Sequence, residues 1–352
     1  MHQAATVYNR ARLTTQPPIA PSSRVTLASY LLAGFGLIAI LVWHLPAALF
    51  AGLLVYALVQ SLAPALERHL PGTQAHWLVV ALLVVAVIGA ITALTIAGIA
   101  FLKSEHGNPA VLFERVAPVL DRARAQLPSS VVEYLPASPD DIRVFVLEWM
   151  KEHTAQLQGV GKHAIRILVH VIIGIAVGSM VALFKARNLP SGGPLAVALS
   201  DRAAHLVIAF KDVVFAQVKI SAVNTVLTGI FLLVVLPLFH VYLPLSKTLV
   251  VATFVFGLLP VVGNLITNTL IFVMGLSISP FVAVAALGYL IVIHKLEYFL
   301  NARIIGGQIS ARAWELLMAM LFMEAVFGAP GLIAGPIYYA YLKRELKAAQ
   351  LI

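Results

Sequence analysis

The sequence has no cysteine and very little charge. Without cysteine the chain can form neither disulfide bonds nor thiolate sites, although this absence does not fix its compartment. Charged residues make up 11% of the 352 residues, against about a quarter in an ordinary soluble domain. Hydrophobic residues reach 61%, and the mean hydropathy is +0.94. So few charges cannot cover the surface of a soluble protein of this length, and the composition predicts an all-α, polytopic integral membrane protein.

Enzyme motifs are also lacking. The sequence contains no H-E-x-x-H, no G-x-S-x-G and no Walker A pattern, and the turn Gly275–Ser279 lacks the second glycine of a nucleophile elbow. The pairs His69/His76 and His163/His170 have no carboxylate partner at ligand spacing. We therefore predict that the chain is not an enzyme and that it holds neither a metal ion nor a cofactor.

The basic residues are placed as membrane anchors. The formal net charge is +9, but these residues flank apolar runs and do not alternate with aromatic residues. This placement argues against nucleic-acid binding and predicts the lipid bilayer as a partner. Basic residues in short loops fall on one side when eight helices are counted, so both termini are expected in the cytoplasm.

Charged segments divide the chain into apolar runs long enough to cross a bilayer. Residues 1–26 predict a disordered cytoplasmic lead, and residues 27–102 predict three transmembrane helices with a turn at Trp43–Pro46. Residues 103–162 predict an extracytoplasmic, amphipathic helical insertion. Residues 163–352 hold five further spans, which makes about eight in all. Their apolar runs are Ile165–Phe184, Ser221–Leu243, Thr248–His294 (two spans, folded near Gly275–Pro280) and Trp314–Leu342.

Two segments are amphipathic and are not expected to span. In the insertion, one apolar face has helical spacing: Ile142, Phe145, Val146, Trp149 and Met150. The second segment, residues 195–219, has an apolar face and a charged face. Leu199, Ala203, Leu206, Phe210 and Val213 are expected inside, and Asp201, Arg202, Lys211 and Asp212 outside. Packing against the helix bundle and lying at the membrane interface are both compatible with this pattern.

Three carboxylates fall within or beside the C-terminal apolar runs. A charge in hydrocarbon is costly, so Glu297, Glu315 and Glu324 are candidates for proton or cation coupling, and His294 shares a helix face with Glu297. The alternative for Glu297 and Glu315 is an interfacial position. For Glu324, which has only apolar neighbours in sequence, the alternative is a structural hydrogen bond.

Glycine, proline and asparagine interrupt the same runs. Freed backbone groups in a bilayer need partners, and discontinuous helices line the sites of many secondary transporters. We predict helix breaks at Phe256–Asn268, at Glu297–Trp314 and at Phe327–Pro336. The alternative is simple kinking and close packing of helices. The substrate-pathway candidates in the first two segments are Pro260, Gly263, Asn264, Asn268, Asn301, Arg303, Gly306 and Gly307.

These segments resemble one known family. The sequences GLLPVVGN, EYFLNARIIGG and EAVFGAPGLIAGPIYYAYLKREL, together with the order of spans and insertion, resemble the autoinducer-2 exporter family of bacterial inner-membrane permeases. The resemblance implies a carrier that needs no ATP, a homo-oligomer, and polar residues Gln217 and Asn224 at the start of the fifth span. Ala302 and Gly307 replace the proline and lysine of the family's late loop, so the chain resembles a divergent branch.

The sequence therefore predicts a membrane transporter, either a secondary carrier or an exporter, of a small polar solute. Two alternatives remain open. One is a Na⁺/H⁺-type cation antiporter that uses the carboxylates, and the other is a membrane organising protein that transports nothing.

Overall fold

A computed structural model of the protein describes residues 23–103, 141, 144, 147–148, 151–186, 192–258, 262–276, 278–309 and 311–352. Within these ranges the chain is helical and has no strands. The predicted lead and most of the predicted insertion, including its apolar face, lie outside the described residues. The helices are α1 (Ser23–Val42), α2 (Pro46–Leu66), α3 (Gly72–Lys103), α4 (Thr154–Ala186), α5 (Pro194–Ile230), α6 (Ser246–Gly257), α7 (Val262–Leu276), α8 (Pro280–Ile309), α9 (Ala313–Phe327) and α10 (Ala329–Ala348).

Several of these helices are long and apolar enough to cross a membrane. In the described part of the chain these are Ser23–Val42, Pro46–Leu66, Gly161–Phe184 and Pro194–Leu238, and four shorter apolar helical stretches accompany them. Apolar side chains remain exposed along them, as Leu31 and Phe35 of α1 show at 65% and 70% exposure. Surfaces of this kind are stable in lipid and unstable in water, so the fold is that of a membrane-embedded helical protein.

The N-terminal helices follow the sequence pattern closely. The expected turn at Trp43–Pro46 coincides with the residues between α1 and α2, and Pro46 occupies the first turn of α2, where its missing N–H costs nothing. Helix α4 begins at Thr154, however, so it includes the end of the predicted insertion. Helices α2 and α4 pack closely, because a side chain on Gly174 would lie 2.1 Å from the carbonyl oxygen of Ala48.

Helix α5 is the central element. The sequence predicted an amphipathic helix at residues 195–219 and a separate span after it, but α5 is one helix of 37 residues. It continues through a π-helical turn, Phe231–Val235, in which the N–H of Leu236 donates to the carbonyl of Phe231. The next residue is Pro237, which has no N–H to continue the α-helical pattern. The two predicted segments are therefore one continuous helix.

The predicted pair of spans in Thr248–His294 is instead three helices, α6, α7 and α8. Helices α6 and α7 have 12 and 15 residues, about 18 and 22 Å, which is shorter than a hydrocarbon core of about 30 Å. They fold back on each other, because Leu249 and Ile271 share one apolar cluster at their open end. At the closed end, the Cα of Gly263 approaches the backbone of Phe256. We call this pair the amide hairpin, Ser246–Leu276.

The predicted last span, Trp314–Leu342, is also a helical hairpin. Helices α9 and α10 meet at Gly328, whose φ of 65° is a left-handed conformation that a side chain would disfavour. Their open end is joined by Lys343 Nζ, which donates to Glu315 Oε2 at 2.6 Å. A single span was expected because the run is largely apolar on both sides of Gly328 and Pro330, and the chain reverses at the start of the break predicted at Phe327–Pro336. We call this pair the charged hairpin, Ala313–Ala348.

The two hairpins run in opposite directions along α5. The tip of the amide hairpin contacts α5 at Gln217, and Val250, near its open end, lies beside Gly229. The open end of the charged hairpin contacts α5 near its start, where Arg202 pairs with Glu345. Farther along α5, and closer to the hairpin tip along α10, one apolar cluster joins the two helices through Ala209, Phe210 and Val213 and through Ile337, Ala340 and Tyr341.

Candidate functional site

The tip of the amide hairpin is held by a close approach of two backbones. A Cβ on Gly263 would lie 1.8 Å from the carbonyl oxygen of Phe256, a distance that no side chain tolerates. Gly257, the last residue of α6, is equally confined, because a Cβ there would lie 2.6 Å from Ser221 Oγ. Glycine at both positions lets the chain reverse within a few residues while it remains packed against α5. Pro260 of this turn lies outside the described residues.

Side chains of α5 bind the carbonyls that the end of α6 leaves free. The last four carbonyls of a helix have no intrahelical donor, and in a bilayer they need another one. Gln217 Nε2 donates to the carbonyl oxygen of Gly257 at 2.7 Å, and Ser221 Oγ donates to that of Phe254, also at 2.7 Å. These bonds explain why polar residues stand on the inward face of an apolar helix.

An amide pair completes this site. Asn224 Nδ2 on α5 donates to Asn264 Oδ1 on α7 at 3.0 Å, and Asn224 is only 6% exposed. Asn268 is one helical turn beyond Asn264 and is partly buried. Thr253 and Thr267, both buried, bond to carbonyls of their own helices. We call Gln217, Ser221, Asn224, Asn264 and Asn268 the amide seam.

The amide seam is polar without being charged. Amides and hydroxyls both donate and accept, so they can exchange partners with a hydroxyl-bearing solute, and amide oxygens can also contact a cation. Neutral groups enter an apolar environment at a far smaller cost than ions. Five candidates from the sequence lie here, Gln217, Asn224, Gly263, Asn264 and Asn268, and their grouping was not itself predicted.

The other pathway candidates do not form the expected break. Residues Asn301, Arg303, Gly306 and Gly307 all lie within α8, which is helical to Ile309, so the break predicted over Glu297–Trp314 is confined to the end of that range. The chain leaves the helix only between Ile309 and Ala313. Apolar and helix-forming residues around the Gly-Gly pair keep the helix continuous, since glycine in a helix costs only about 1 kcal/mol. The structure does not describe the side chains of these four residues, nor those of His294 and Glu297.

Two candidate carboxylates have different surroundings. Glu315 Oε2 accepts from Lys343 Nζ at 2.6 Å and from the hydroxyl of Tyr339 at 2.5 Å, so it joins the two arms of the charged hairpin. Glu324 is exposed and lies one turn before the tip, where its carbonyl accepts from the N–H of Gly328 at 2.7 Å. The surface position of Glu324 does not fit the alternative of a buried structural hydrogen bond.

Sequence reasoning missed a group of ion pairs at the start of α5. Arg202 pairs with Glu345, His205 Nδ1 lies 3.1 Å from Glu345 Oε1, and Glu345 is only 4% exposed. Farther along α5, Asp212 Oδ2 accepts from Arg344 at 3.0 Å. Arg202 and Asp212 were expected to face outward, and both instead contact α10. Their spacing on α5 carried a signal, because they lie beside the apolar positions Leu206 and Val213, which face α10.

The apolar face of α5 also differs in part from the predicted one. Phe210 and Val213 are buried as predicted, whereas Ala203 is exposed. Phe210 stacks on Phe50 of α2 with ring centroids 6.0 Å apart. The face is rotated toward α10 and α2 because α5 packs against helices on more than one side.

Comparison of the chain with protein-family models, with curated proteins and with solved structures gave no match.

Proposed function

We propose that the protein is a membrane transporter, a secondary carrier or exporter, of a small polar solute, and that the amide seam is part of its substrate pathway. The observation that carries the proposal is the bond between Asn224 and Asn264, made where the tip of the amide hairpin meets α5. A pair of amides in an apolar protein contributes little more stability than two apolar side chains would. It does offer a solute several hydrogen-bond donors and acceptors.

The two hairpins give a second reason. Both arms of the amide hairpin and the first arm of the charged hairpin, α9, are shorter than a full span, and the two hairpins point in opposite directions along α5. Broken helices and inverted halves are characteristic of secondary carriers, whose sites lie near the middle of the membrane. The resemblance to autoinducer-2 exporters implies the same class, along with a bacterial inner membrane and a homo-oligomer.

The neutrality of the amide seam narrows the class of solute. None of its five side chains carries a charge, so a neutral, hydroxyl-bearing solute fits it better than an organic anion. The candidate coupling residue is Glu324, which is exposed near the tip of the charged hairpin. Proton coupling through Glu324 is a part of the proposal that can fail while the solute pathway stands.

The primary experiment is a ligand screen followed by transport. Purified protein is screened by thermal shift against small polyols, hydroxylated furanones, NaCl and LiCl, and stabilising compounds are then tested for movement in proteoliposomes. A neutral solute should raise the Tm of the wild type and be transported, and Asn264→Ala should lose both effects. Thr269→Ala is the matched control, because Thr269 lies on the exposed face of the same helix and its hydroxyl donates to the carbonyl of Leu265 in that helix.

The alternatives give different results in that experiment. Stabilisation by Na⁺ or Li⁺ alone, with proton movement on addition of the salt, would replace the proposal by the cation antiporter. Movement of neither solutes nor ions would favour the membrane organising protein.

Membrane topology can be tested independently, because the chain has no cysteine to remove. We propose about eight membrane-embedded helical segments with both termini in the cytoplasm and the insertion outside. A cysteine placed at Ser130 should react with an impermeant thiol reagent in intact spheroplasts. Reaction only after lysis would reverse the proposed orientation.

A further inference from the structure

The start of α5 and the end of α10 enclose a buried ionic group that the proposed pathway does not use. The side chain of Glu345 is only 5% exposed and lies between two potential cations of α5, Arg202 and His205, whose side chains are 14% and 24% exposed. The ring of Tyr30, on α1, lies under the Arg202 guanidinium at 4.6 Å. Three helices therefore meet at one carboxylate.

Two atoms of this group face each other without a hydrogen bond. His205 Nδ1 and Glu345 Oε1 are 3.1 Å apart, and both are buried with no other hydrogen-bond partner among the described residues. When the neutral ring carries its proton on Nε2, both of these atoms are acceptors and they repel each other. A proton on Nδ1 turns the contact into a charge-assisted hydrogen bond once the ring is an imidazolium, in which both nitrogens are donors.

We propose that His205 and Glu345 form a proton-binding pair that holds the charged hairpin to α5 more tightly when His205 is protonated. Histidine is the side chain whose ordinary titration falls between about pH 5 and pH 8, and the His205 side chain is 24% exposed. The proton comes from water and adds to the imidazole, and no other bond changes. The inference concerns the α5–α10 contact and does not depend on the proposed transport.

The size of the pH response of the α5–α10 contact depends on the other charged and titratable groups around the pair. Arg202 already neutralises part of the Glu345 charge and repels a second cation beside it, and the Tyr341 hydroxyl also interacts with Glu345. The remaining groups near this end are Tyr30 on α1, Asp201 and Asp212 on α5, Glu315 on α9, and Tyr339, Lys343, Arg344 and Lys347 on α10. Among the described groups on α5 and α10 that contact Glu345, His205 is the histidine, the residue type whose ordinary titration range lies nearest to neutral pH.

The sign of the pH effect follows from this arrangement. A cationic His205 attracts Glu345, so the contact is tightest below the ordinary titration range of histidine. It loosens as the pH rises through that range and the imidazole becomes neutral.

Hydrogen–deuterium exchange measured by mass spectrometry can localise this effect. The full-length protein in detergent is labelled at pH 6 and at pH 8, with labelling times corrected for the intrinsic exchange rates. Peptides from the end of α10 should exchange several-fold more slowly at pH 6 in the wild type. His205→Gln keeps a polar side chain that does not titrate, and it should remove the difference between the two pH values.

Two further variants make the result decisive. Arg202→Gln leaves His205 as the only cation beside Glu345 and should enlarge the pH difference. His240→Asn is the matched control, because His240 is exposed, lies in a loop far along the chain and has a positive φ that asparagine accepts. An equal pH response in the wild type and in His205→Gln would overturn the proposal, even if Arg202→Gln fails to fold.

Discussion

The amide hairpin and the charged hairpin solve the same packing problem with different chemistry. In both, a glycine of the second arm presses against a backbone carbonyl of the first. A Cβ would lie 1.8 Å from the Phe256 oxygen at Gly263 and 2.0 Å from the Met323 oxygen at Gly331. The amide hairpin is joined to α5 near its tip by neutral groups, and the charged hairpin is joined near its open end by ions.

The difference is the one that two depths in a membrane would produce. An ion in the hydrocarbon core costs several kcal/mol and an amide much less. Near the aqueous boundary, ions are hydrated before they pair and the cost of burying them is smaller. We therefore expect the amide contacts to lie deeper in the membrane than the ionic contacts.

The first prediction tests the likeness of the two tips and has the largest expected effect. Gly263→Ala and Gly331→Ala should each destabilise the protein by about 4 kcal/mol, because the new methyl group must displace backbone. Thermal or chemical unfolding in detergent measures the loss. Gly288→Ala on α8 is the control, since nothing lies within 4 Å of its added Cβ. A small effect at only one tip would show that the two turns are built differently.

A second prediction concerns the ions of the charged hairpin. Glu345→Ala should cost about 3 kcal/mol, because it leaves Arg202 beside a buried site without its carboxylate. Asp212→Ala should cost less than about 1 kcal/mol, since that pair is about a third exposed. The same unfolding measurement ranks them. Equal losses of unfolding free energy would mean that the difference in burial does not determine how much each ion pair contributes to stability.

The third prediction isolates the amide pair. Asn224→Ala and Asn264→Ala should each cost about 1 to 2 kcal/mol, and the double variant should cost about 1 kcal/mol less than their sum. The double-mutant cycle is best repeated at 1 M NaCl, where the coupling should be unchanged because neither side chain is charged. A coupling that fades with salt would place an unrecognised charge in the amide seam.

The smallest stability effect is expected at Glu324. Because the Glu324 side chain is exposed, Glu324→Gln should change the unfolding free energy measured in detergent by no more than about 0.5 kcal/mol. If it couples transport to protons, the same variant should lose the dependence on a pH gradient while downhill exchange continues. A normal pH dependence would remove Glu324 from the proposal.

Part of this architecture is readable from the sequence. Low charge and long apolar runs require a helical membrane protein, and the turn at Trp43–Pro46 is marked by residues that end one helix and begin the next. The same local chemistry points to Gly263 and Asn264 as a special stretch. The charged pairs are harder to predict from the sequence, because a Lys-Arg-Glu sequence at a helix end is also typical of a simple cytoplasmic membrane anchor.

The amino-acid sequence by itself determined the helical membrane class, the apolar helices and the polar residues at the tips, because these depend on hydrophobicity and on backbone rules that act over a few residues. Only the tertiary structure decided that Thr248–His294 and Trp314–Leu342 fold back as hairpins, that α8 continues to Ile309, and that Asn224 meets Asn264 and Glu345 meets His205. Those pairings join residues 40 and 140 positions apart, and no periodicity within one helix specifies which face of another helix it will meet.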